Sequence, residues 1–315
     1  ANPTVESDAV MRSILAVKGA DAAKFLQSLC TSDVSAVSAA GQATAFLTNK
    51  GRVFADGVLW KDSEGSILVD VAASQEAALA RHLKLYKLRS AVTIAAEEDA
   101  RVVTRPEPHD GFFEDPRAAS KSLGYRGILK KSLEDEEDPV EYRRRRLAAG
   151  VAESDEIAGR VPLVCNLDLL GHVSFSKGCY LGQELTARAF HRGTVRKRIL
   201  PVVLAHRDSH FVKGTPVLDV ADVFRYLRDD LEGDVAVGVK PGTSLHADGK
   251  EVGSLIASEG PIGLAVLPLD FCGIGSSTAA ASHGDLVLGG EAGQATNDFA
   301  LRVYRPAWWP DDLAA

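Results

Sequence analysis

The sequence predicts an α+β protein whose first part is built on antiparallel hairpins and whose second part is nearly all β. Three patterns carry this reading. The first hundred residues alternate short apolar β runs with helical spacing, joined by hairpin-type turns, which favours an antiparallel sheet over a doubly wound one. Residues from about 96 to 140 are polar and broken by Pro106, Pro108, Pro116 and Pro139. From about Val195 onward, short β runs recur between glycine turns at even spacing, the mark of a small barrel or sandwich. A length of 315 residues suits two domains, and the change of pattern divides them as 1–194 and 195–315.

Taken in order, Arg12 to Val17 reads as a strand. Gly19-Ala20-Asp21 then opens a helix through Phe25, Leu26 and Leu29, with Asp21 as its cap. Ala45 to Leu47 and Arg52 to Trp60 are strand-like and meet at Asn49-Lys50-Gly51, a good hairpin turn. Ser66 to Ala72 is a third β segment. Ala78, Leu79, Leu83 and Tyr86 give Ser74 to Tyr86 helical spacing, and Ala91 to Ala95 returns to β. The run Glu134 to Asp138 reads as a solvated loop. Pro139 to Ala149 suits a helix with Pro139 in its first turn, and its arginines, Arg143 to Arg146, span a full turn and cannot share one face. In the second part the expected strands are Ile199 to Leu204, Pro216 to Val220, Val235 to Val239, Val252 to Ala257, Gly263 to Leu267, Leu286 to Leu288 and Phe299 to Tyr304, with a loop from Gly273 to Ser282.

Composition excludes several function classes. With 45% hydrophobic residues a sizeable core is available, and wholesale disorder is excluded. No run approaches the roughly 18 apolar residues of a membrane span, so no membrane role is expected. A net charge of −7 opposes general nucleic-acid binding, because phosphates need a positive field. The four cysteines, Cys30, Cys165, Cys179 and Cys272, are scattered with no CxxC pair. That pattern excludes the usual zinc spacings and points to a reducing compartment. The chain opens on Ala1-Asn2-Pro3 without an apolar signal stretch, and a removed targeting segment would leave no trace.

The segment with chemistry is Lys177-Gly178-Cys179-Tyr180-Leu181-Gly182-Gln183-Glu184. Residues from Tyr180 onward fit a short helix, which would put Cys179 at or near a helix N-terminus, where unpaired N–H groups and the dipole favour a thiolate. Lys177 adds positive charge, and Glu184 lies one turn on, able to bond back toward the helix start or to a partner. On residues alone, Cys179 is a nucleophile, a metal ligand or a small core residue. Cys30, Cys165 and Cys272 sit in apolar surroundings and read as core. From Lys177 to Arg198 six basic residues (Lys177, Arg188, Arg192, Arg196, Lys197 and Arg198) face one acid, Glu184. That stretch is either a solvated corner or an anion site for a carboxylated cofactor tail, an acidic protein or RNA phosphate.

The octapeptide resembles the K-G-C-Y-x-G-Q-E signature of the YgfZ-type proteins, relatives of the glycine-cleavage T-protein in the folate-binding superfamily. The continuation Leu185-Thr186-Ala187-Arg188 and Val195 to Val202 is similar to the eukaryotic mitochondrial branch, an iron–sulfur assembly factor acting late in making [4Fe–4S] proteins. Phe25 to Val34 and Thr48 to Trp60 resemble two further family segments more weakly. The resemblance implies intertwined α+β lobes around a central cavity with a C-terminal β-barrel. It implies a location in the mitochondrial matrix and a monomer when alone. It implies that Cys179 ligates a [2Fe–2S] cluster shared with an A-type iron–sulfur carrier, with [4Fe–4S] client proteins downstream, and that Gly178, Tyr180, Gly182 and Gln183 with the basic residues receive that partner.

The resemblance also raises tetrahydrofolate as a ligand of the cavity, near Asp33, Asn49, Arg52, Asp56 and Asn166. The relatives hold the pterin with a glutamate where this chain has Val164, within Pro162-Leu163-Val164-Cys165-Asn166-Leu167. Valine cannot accept the paired hydrogen bonds of a pterin edge, and this argues against folate. The reading is therefore an assembly factor rather than a turnover enzyme, with a folate-dependent one-carbon transferase or a tRNA-modification factor as alternatives.

Overall fold

The computed structural model describes residues 11–130, 138–206, 239–272, 286–288 and 299–310. The expected strand at 216–220, all but the last residue of that at 235–239, the loop at 273–282 and most of the acidic run at 134–138 lie outside the described residues. The chain divides into two compact units, Ala1–Arg143 with Glu153–Gly193, and Arg144–Ala152 with Thr194–Ala315.

The first unit carries β1 (Arg12–Lys18), α1 (Ala22–Gln27), β2 (Gln42–Leu47), β3 (Val53–Lys61), β4 (Ile67–Ala72), α2 (Ala73–Lys87) and β5 (Thr93–Ala96). Its five strands form one sheet in the order β2-β3-β4-β1-β5, with every pairing antiparallel. The apolar alternation of these strands explains the core, in which Leu15, Val17, Phe46, Leu59, Val69 and Val71 meet Phe25 and Leu26 of α1 and Leu79 and Leu83 of α2. Burying each such side chain contributes about 1.5–3 kcal/mol. The β2–β3 turn closes where Thr48 N–H donates to Arg52 O, with Gly51 at φ +70°. Asp21 precedes α1 as expected, but its side chain does not cap the helix. Its Oδ2 instead accepts from Ala91 N–H at 2.7 Å, tying the start of α1 to the segment that leads into β5.

The polar, proline-broken stretch holds a sheet of its own. β6 (Ala100–Arg105), β7 (Phe113–Glu114) and β8 (Tyr125–Lys130), with the short α3 (Ser120–Leu123) between the last two, pair in the order β6-β8-β7. The apolar alternation is missing there because an inward position is an arginine. Arg126 is 1% exposed. Its Nη1 donates to Asp70 of β4 at 2.7 Å, its Nε to Asp115 at 3.2 Å, and its Nη2 to the Tyr142 hydroxyl at 2.7 Å.

Around it, Arg12 Nε donates to Asp70 at 2.6 Å, Arg117 is bidentate on Asp115 at 2.7 Å per bond, and Arg117 also pairs with Glu153. Tyr142 in turn donates to Glu153 at 2.7 Å. Three buried guanidiniums and three buried carboxylates thus bolt β1, β4 and β8 to the residues that flank Arg144–Ala152. Burial opposes ionisation of Asp115, but Arg117 and Arg126 overcome it and hold the carboxyl at about 2.

Helix α4 (Pro139–Ala148) forms as its sequence predicts, and its arginines diverge. Arg143 reaches Glu156 at 3.4 Å, Arg144 is exposed, and Arg146 is buried with Nη1 donating to Val151 O at 2.6 Å. In the second unit, the described strands β9 (Lys197–His206), β10 (Ser244–Ala247), β11 (Lys250–Glu259), β12 (Ile262–Pro268), β13 (Leu286–Leu288) and β14 (Phe299–Val303) close a barrel in the order β10-β11-β12-β9-β14-β13. Of the open pair, barrel or sandwich, the barrel is realised. The segment 144–152 joins it through Tyr304, whose hydroxyl donates to Ala148 O at 2.8 Å, and Trp308, whose Nε1 donates to Ala149 O at 2.7 Å. No helix among the described residues is long and apolar enough to cross a membrane.

Replacing Arg126 with Leu leaves three buried carboxylates, Asp70, Asp115 and Glu153, to two guanidiniums, Arg12 and Arg117. The expected loss is about 3–5 kcal/mol in urea unfolding. The sign with pH is also fixed. Asp115 is depressed in the fold relative to about 3.9 unfolded, so its contribution is complete above pH 4 and is lost as pH falls toward 2. A denaturation series between pH 6 and pH 2 checks both.

Candidate functional site

The octapeptide is held in an irregular segment at nearly every position. Lys177 is half-buried, and its Nζ donates to Cys30 O at 2.8 Å and to Ser32 O at 2.7 Å. The same ammonium lies 5.1 Å from the centre of the Tyr180 ring, a cation–π contact. Burial draws the Lys177 ammonium below the usual lysine value, opposed by Cys30 and Asp33. Tyr180 is buried, which pushes its hydroxyl up to about 12. Leu181 N–H donates to Ser28 O at 2.9 Å.

Gly182 is demanded twice. Its φ is +77°, and a Cβ there would come within 2.3 Å of Thr48 O. Across the contact, a Cβ on Gly51 would meet Gly182 O and Leu185 Cβ at 2.8 Å. The two glycines therefore let the β2–β3 turn and the octapeptide lie backbone to backbone.

Helix α5 (Gln183–Arg192) starts only after this contact, with Gly182 at its N-cap position. The helix expected from Tyr180 thus begins three residues later, because the left-handed Gly182 cannot sit inside one. Cys179 lies four residues before the first helical residue, beyond the reach of the helix terminus, whose effect fades within one turn. The Lys177 ammonium is directed at the carbonyls of Cys30 and Ser32. Neither feature expected to favour a thiolate is placed at Cys179. The residue that bonds back to the helix start is Gln183, whose Oε1 accepts from Tyr180 N–H at 3.2 Å. Glu184 is exposed.

Cys179 itself is a free, exposed thiol. Among the described residues neither Cys179 nor Gly178 has a hydrogen bond, and a Cβ on Gly178 would meet nothing within 4 Å. Before the start of α5, this pair is the part of the octapeptide that the fold leaves open. Four residues before Cys179 in the chain, Phe175 stacks on Phe190 of α5 at 3.6 Å between ring centres, with His191 edge-on to Phe190 at 5.1 Å. Phe190 is 48% exposed, so the stack is a surface feature. Arg188 and Arg192 are exposed on α5. Arg196, Lys197 and Arg198 belong to the second unit, where Arg196 and Lys197 are exposed and Arg198 is buried. The basic stretch is therefore divided between the units.

The five residues named for a folate have unlike surroundings. Asn49 and Arg52 are exposed on the β2–β3 turn. Asp33 Oδ1 accepts from Ser35 N–H, Ser35 Oγ and Gln27 Nε2, bonds that lower its carboxyl below the usual range. Asp56 is buried and accepts from Ser154 N–H at 2.7 Å; burial raises its carboxyl, aided by Glu153 and opposed by Arg12. Asn166 is buried in a turn at φ +60°. Val164 is half-buried, and the two carboxylates of this set, Asp33 and Asp56, are already taken by hydrogen bonds within the chain, so the set does not fit a pterin edge.

Cys30 and Cys165 are buried, and burial pushes Cys165 up to about 12 and Cys30 up as well, as core thiols should be. The side chain of Cys272 lies outside the described residues. Among the described residues there is no group of three or more His, Cys, Asp or Glu side chains able to hold a metal ion. Sequence reasoning missed the buried network around Arg126. Its signal was a lone acid inside an apolar β run, as Asp70 is in Ile67-Leu68-Val69-Asp70-Val71-Ala72.

Two glycines and one thiol give a direct check. Gly182→Ala should cost about 2 kcal/mol or more in urea unfolding, and Gly178→Ala less than about 0.5 kcal/mol. With a thiol reagent, native protein should show a fast phase that Cys179→Ala abolishes and that Cys30→Ala and Cys165→Ala leave intact.

Several known proteins are similar to this chain. Residues 196–311 match the family model described as the CAF17 C-terminal beta-barrel domain. The chain is 34% identical to the mitochondrial iron–sulfur cluster assembly factor IBA57 homolog of Pyricularia oryzae, over 96% of this chain and 84% of that protein. It is 31% identical to the mitochondrial iron–sulfur cluster assembly factor IBA57 of Homo sapiens, over 95% of this chain and 83% of that one. Among solved structures, the glycine cleavage system aminomethyltransferase T of Bartonella henselae superposes with a TM-score of 0.64 at 12% identity, over 98% of this chain and 86% of that chain, a likeness of fold alone. With a T-protein-like fold, a closed C-terminal barrel and relatives of this identity along nearly its whole length, the chain belongs to the IBA57 family of iron–sulfur cluster assembly factors, within the GcvT/YgfZ-type group.

Proposed function

We propose that this protein is a mitochondrial iron–sulfur cluster assembly factor, acting in the matrix, that presents Cys179 as one ligand of a [2Fe–2S] cluster shared with an A-type carrier on the way to [4Fe–4S] client proteins. The observation that carries the reading is an exposed thiol in a segment otherwise fastened to the fold. One thiol cannot hold a cluster alone, so the carrier's thiolates complete the set. The open space at Gly178 lets a second backbone approach the sulfur. The Phe175–Phe190 stack offers an apolar contact, and Arg188 and Arg192 supply positive charge for an acidic carrier face. The cluster is cargo, and the residues of this chain bind, orient and release it. Folate-dependent transfer has no comparable support, since Val164 stands where a pterin acceptor would be needed.

The test is to mix the protein with a cluster-loaded A-type carrier and record the visible absorption of the co-purified complex. Wild type and Cys30→Ala should give the same coloured heterocomplex, and Cys179→Ala should give none. Arg188→Glu with Arg192→Glu should weaken it about ten-fold, and more at low salt. An unchanged chromophore with Cys179→Ala would rule out direct ligation.

A further inference from the structure

A second surface of the first unit has features that the Cys179 site does not use. Helix α2 ends in a tight turn in which Ser90 N–H donates to Lys87 O at 2.9 Å. Leu88 holds the second position of that turn at φ 44°, ψ −112°. Those angles belong to the first central residue of a type II′ turn, a place taken almost always by glycine because a Cβ is strained there. Leu88 is also 86% exposed, and Leu85, one turn before it on the same face, is 71% exposed. A strained backbone position that displays an apolar side chain to water is doubly unfavourable, and such outliers mark sites where function sets the residue.

Next to this turn lies a cleft of about 380 Å³ lined by Asp21, Lys24, Phe25 and Ser28 of the α1 segment and by Tyr86, Arg89 and Ser90. The walls are fastened to neighbouring elements. Asp21 and Ala91 exchange hydrogen bonds, and Tyr86 packs on His82 at 5.0 Å, which stacks on Phe54 at 4.6 Å. Asp21 is committed to Ala91 N–H, while Lys24 and Arg89 are exposed and form no ion pair among the described residues. Arg81, Lys84 and Lys87 add positive charge along α2, where Glu76 is the one acid, in a chain of net charge −7. Lys84 and Lys87 in the last helical turn are accounted for by the helix dipole. Lys24 has the same place in the last turn of the short α1, but Arg89 and Leu88, beyond the end of α2, are not accounted for in this way.

We propose that this cleft, with Leu88 beside it, is a docking site for an acidic peptide segment of a protein partner that carries a large apolar side chain. Lys24 and Arg89 would take its carboxylates, and Phe25, Tyr86 and Leu88 its apolar group. The concave, aromatic-walled shape suits an inserted side chain rather than a flat lipid surface. The site does not depend on Cys179 ligating a cluster. Leu181 is fastened to Ser28 O, so an occupied cleft would lie against the frame that presents the thiol.

The experiment is fluorescence polarisation on the full chain with a short fluorescein-labelled peptide of alternating Glu and Phe or Leu. Its controls are the same peptide with Lys for Glu, the same peptide with Ser for the apolar residues, and vesicles containing phosphatidylglycerol. Saturable, salt-sensitive binding is expected for the acidic apolar peptide alone, about ten-fold weaker with Lys24→Glu and Arg89→Glu together. Leu88→Gly should also weaken it about ten-fold while raising Tm by about 2 °C, because it relieves the turn. Cys179→Ala should leave it unchanged, which separates this proposal from the cluster reading. Equal binding of all peptides, binding to the vesicles alone, unchanged affinity in both variants, or a lowered Tm with Leu88→Gly would overturn it.

Discussion

The ammonium of Lys177 sits on two backbone carbonyls, those of Cys30 and Ser32, and the geometry of the octapeptide follows from that bond pair. A lysine in this position satisfies two buried acceptors and closes on the Tyr180 ring at once. Two further ties complete the hold, Leu181 on Ser28 O and Gly182 against Thr48 O and Gly51. What remains between them is Gly178-Cys179, without hydrogen bonds among the described residues and open to solvent. The segment is a frame with one gap, and the thiol stands in the gap. Such a frame would suit the cluster ligation proposed for Cys179, since the thiol stays exposed between fastened neighbours.

The frame is only as firm as the turns it rests on. Residues 28–32 and 48–51 are carried by α1 and by the β2–β3 hairpin, whose sheet is fastened to β8 through Asp70, Arg126 and Asp115. Buried ion pairs of this kind add little net stability over an apolar core, but removing one partner is costly, so they fix which arrangement is adopted. Asp56 belongs to the same neighbourhood. Its carboxyl is raised by burial, bonded to Ser154 N–H, and used for structure rather than for a ligand.

Much of this was legible in the sequence, and the failures have physical causes. The first sheet and both of its helices could be read because one face of each strand is apolar. The sheet formed by β6, β7 and β8 could not, because its inward position at Arg126 is charged and satisfied by Asp70, which is 56 residues away. The octapeptide pointed to the family, yet its local spacing suggested a helix from Tyr180. The helix is delayed by the contact of Gly182 with Thr48, which no local window contains. Likewise Lys177 reads as a neighbour of the thiol in sequence, while its partners lie about 145 residues upstream. The basic stretch reads as one patch and is divided between two units, with Arg198 buried.

The frame around Cys179 is most directly tested by site-resolved amide hydrogen exchange from Ser176 to Gln183 in the free protein. Slow exchange at Tyr180 and Leu181, whose N–H groups are held by Gln183 and Ser28, with fast exchange at Gly178 and Cys179, is the result this structure predicts. Fast exchange throughout the segment would contradict it, since a thiol on a loose loop is displayed by chance rather than by the fold.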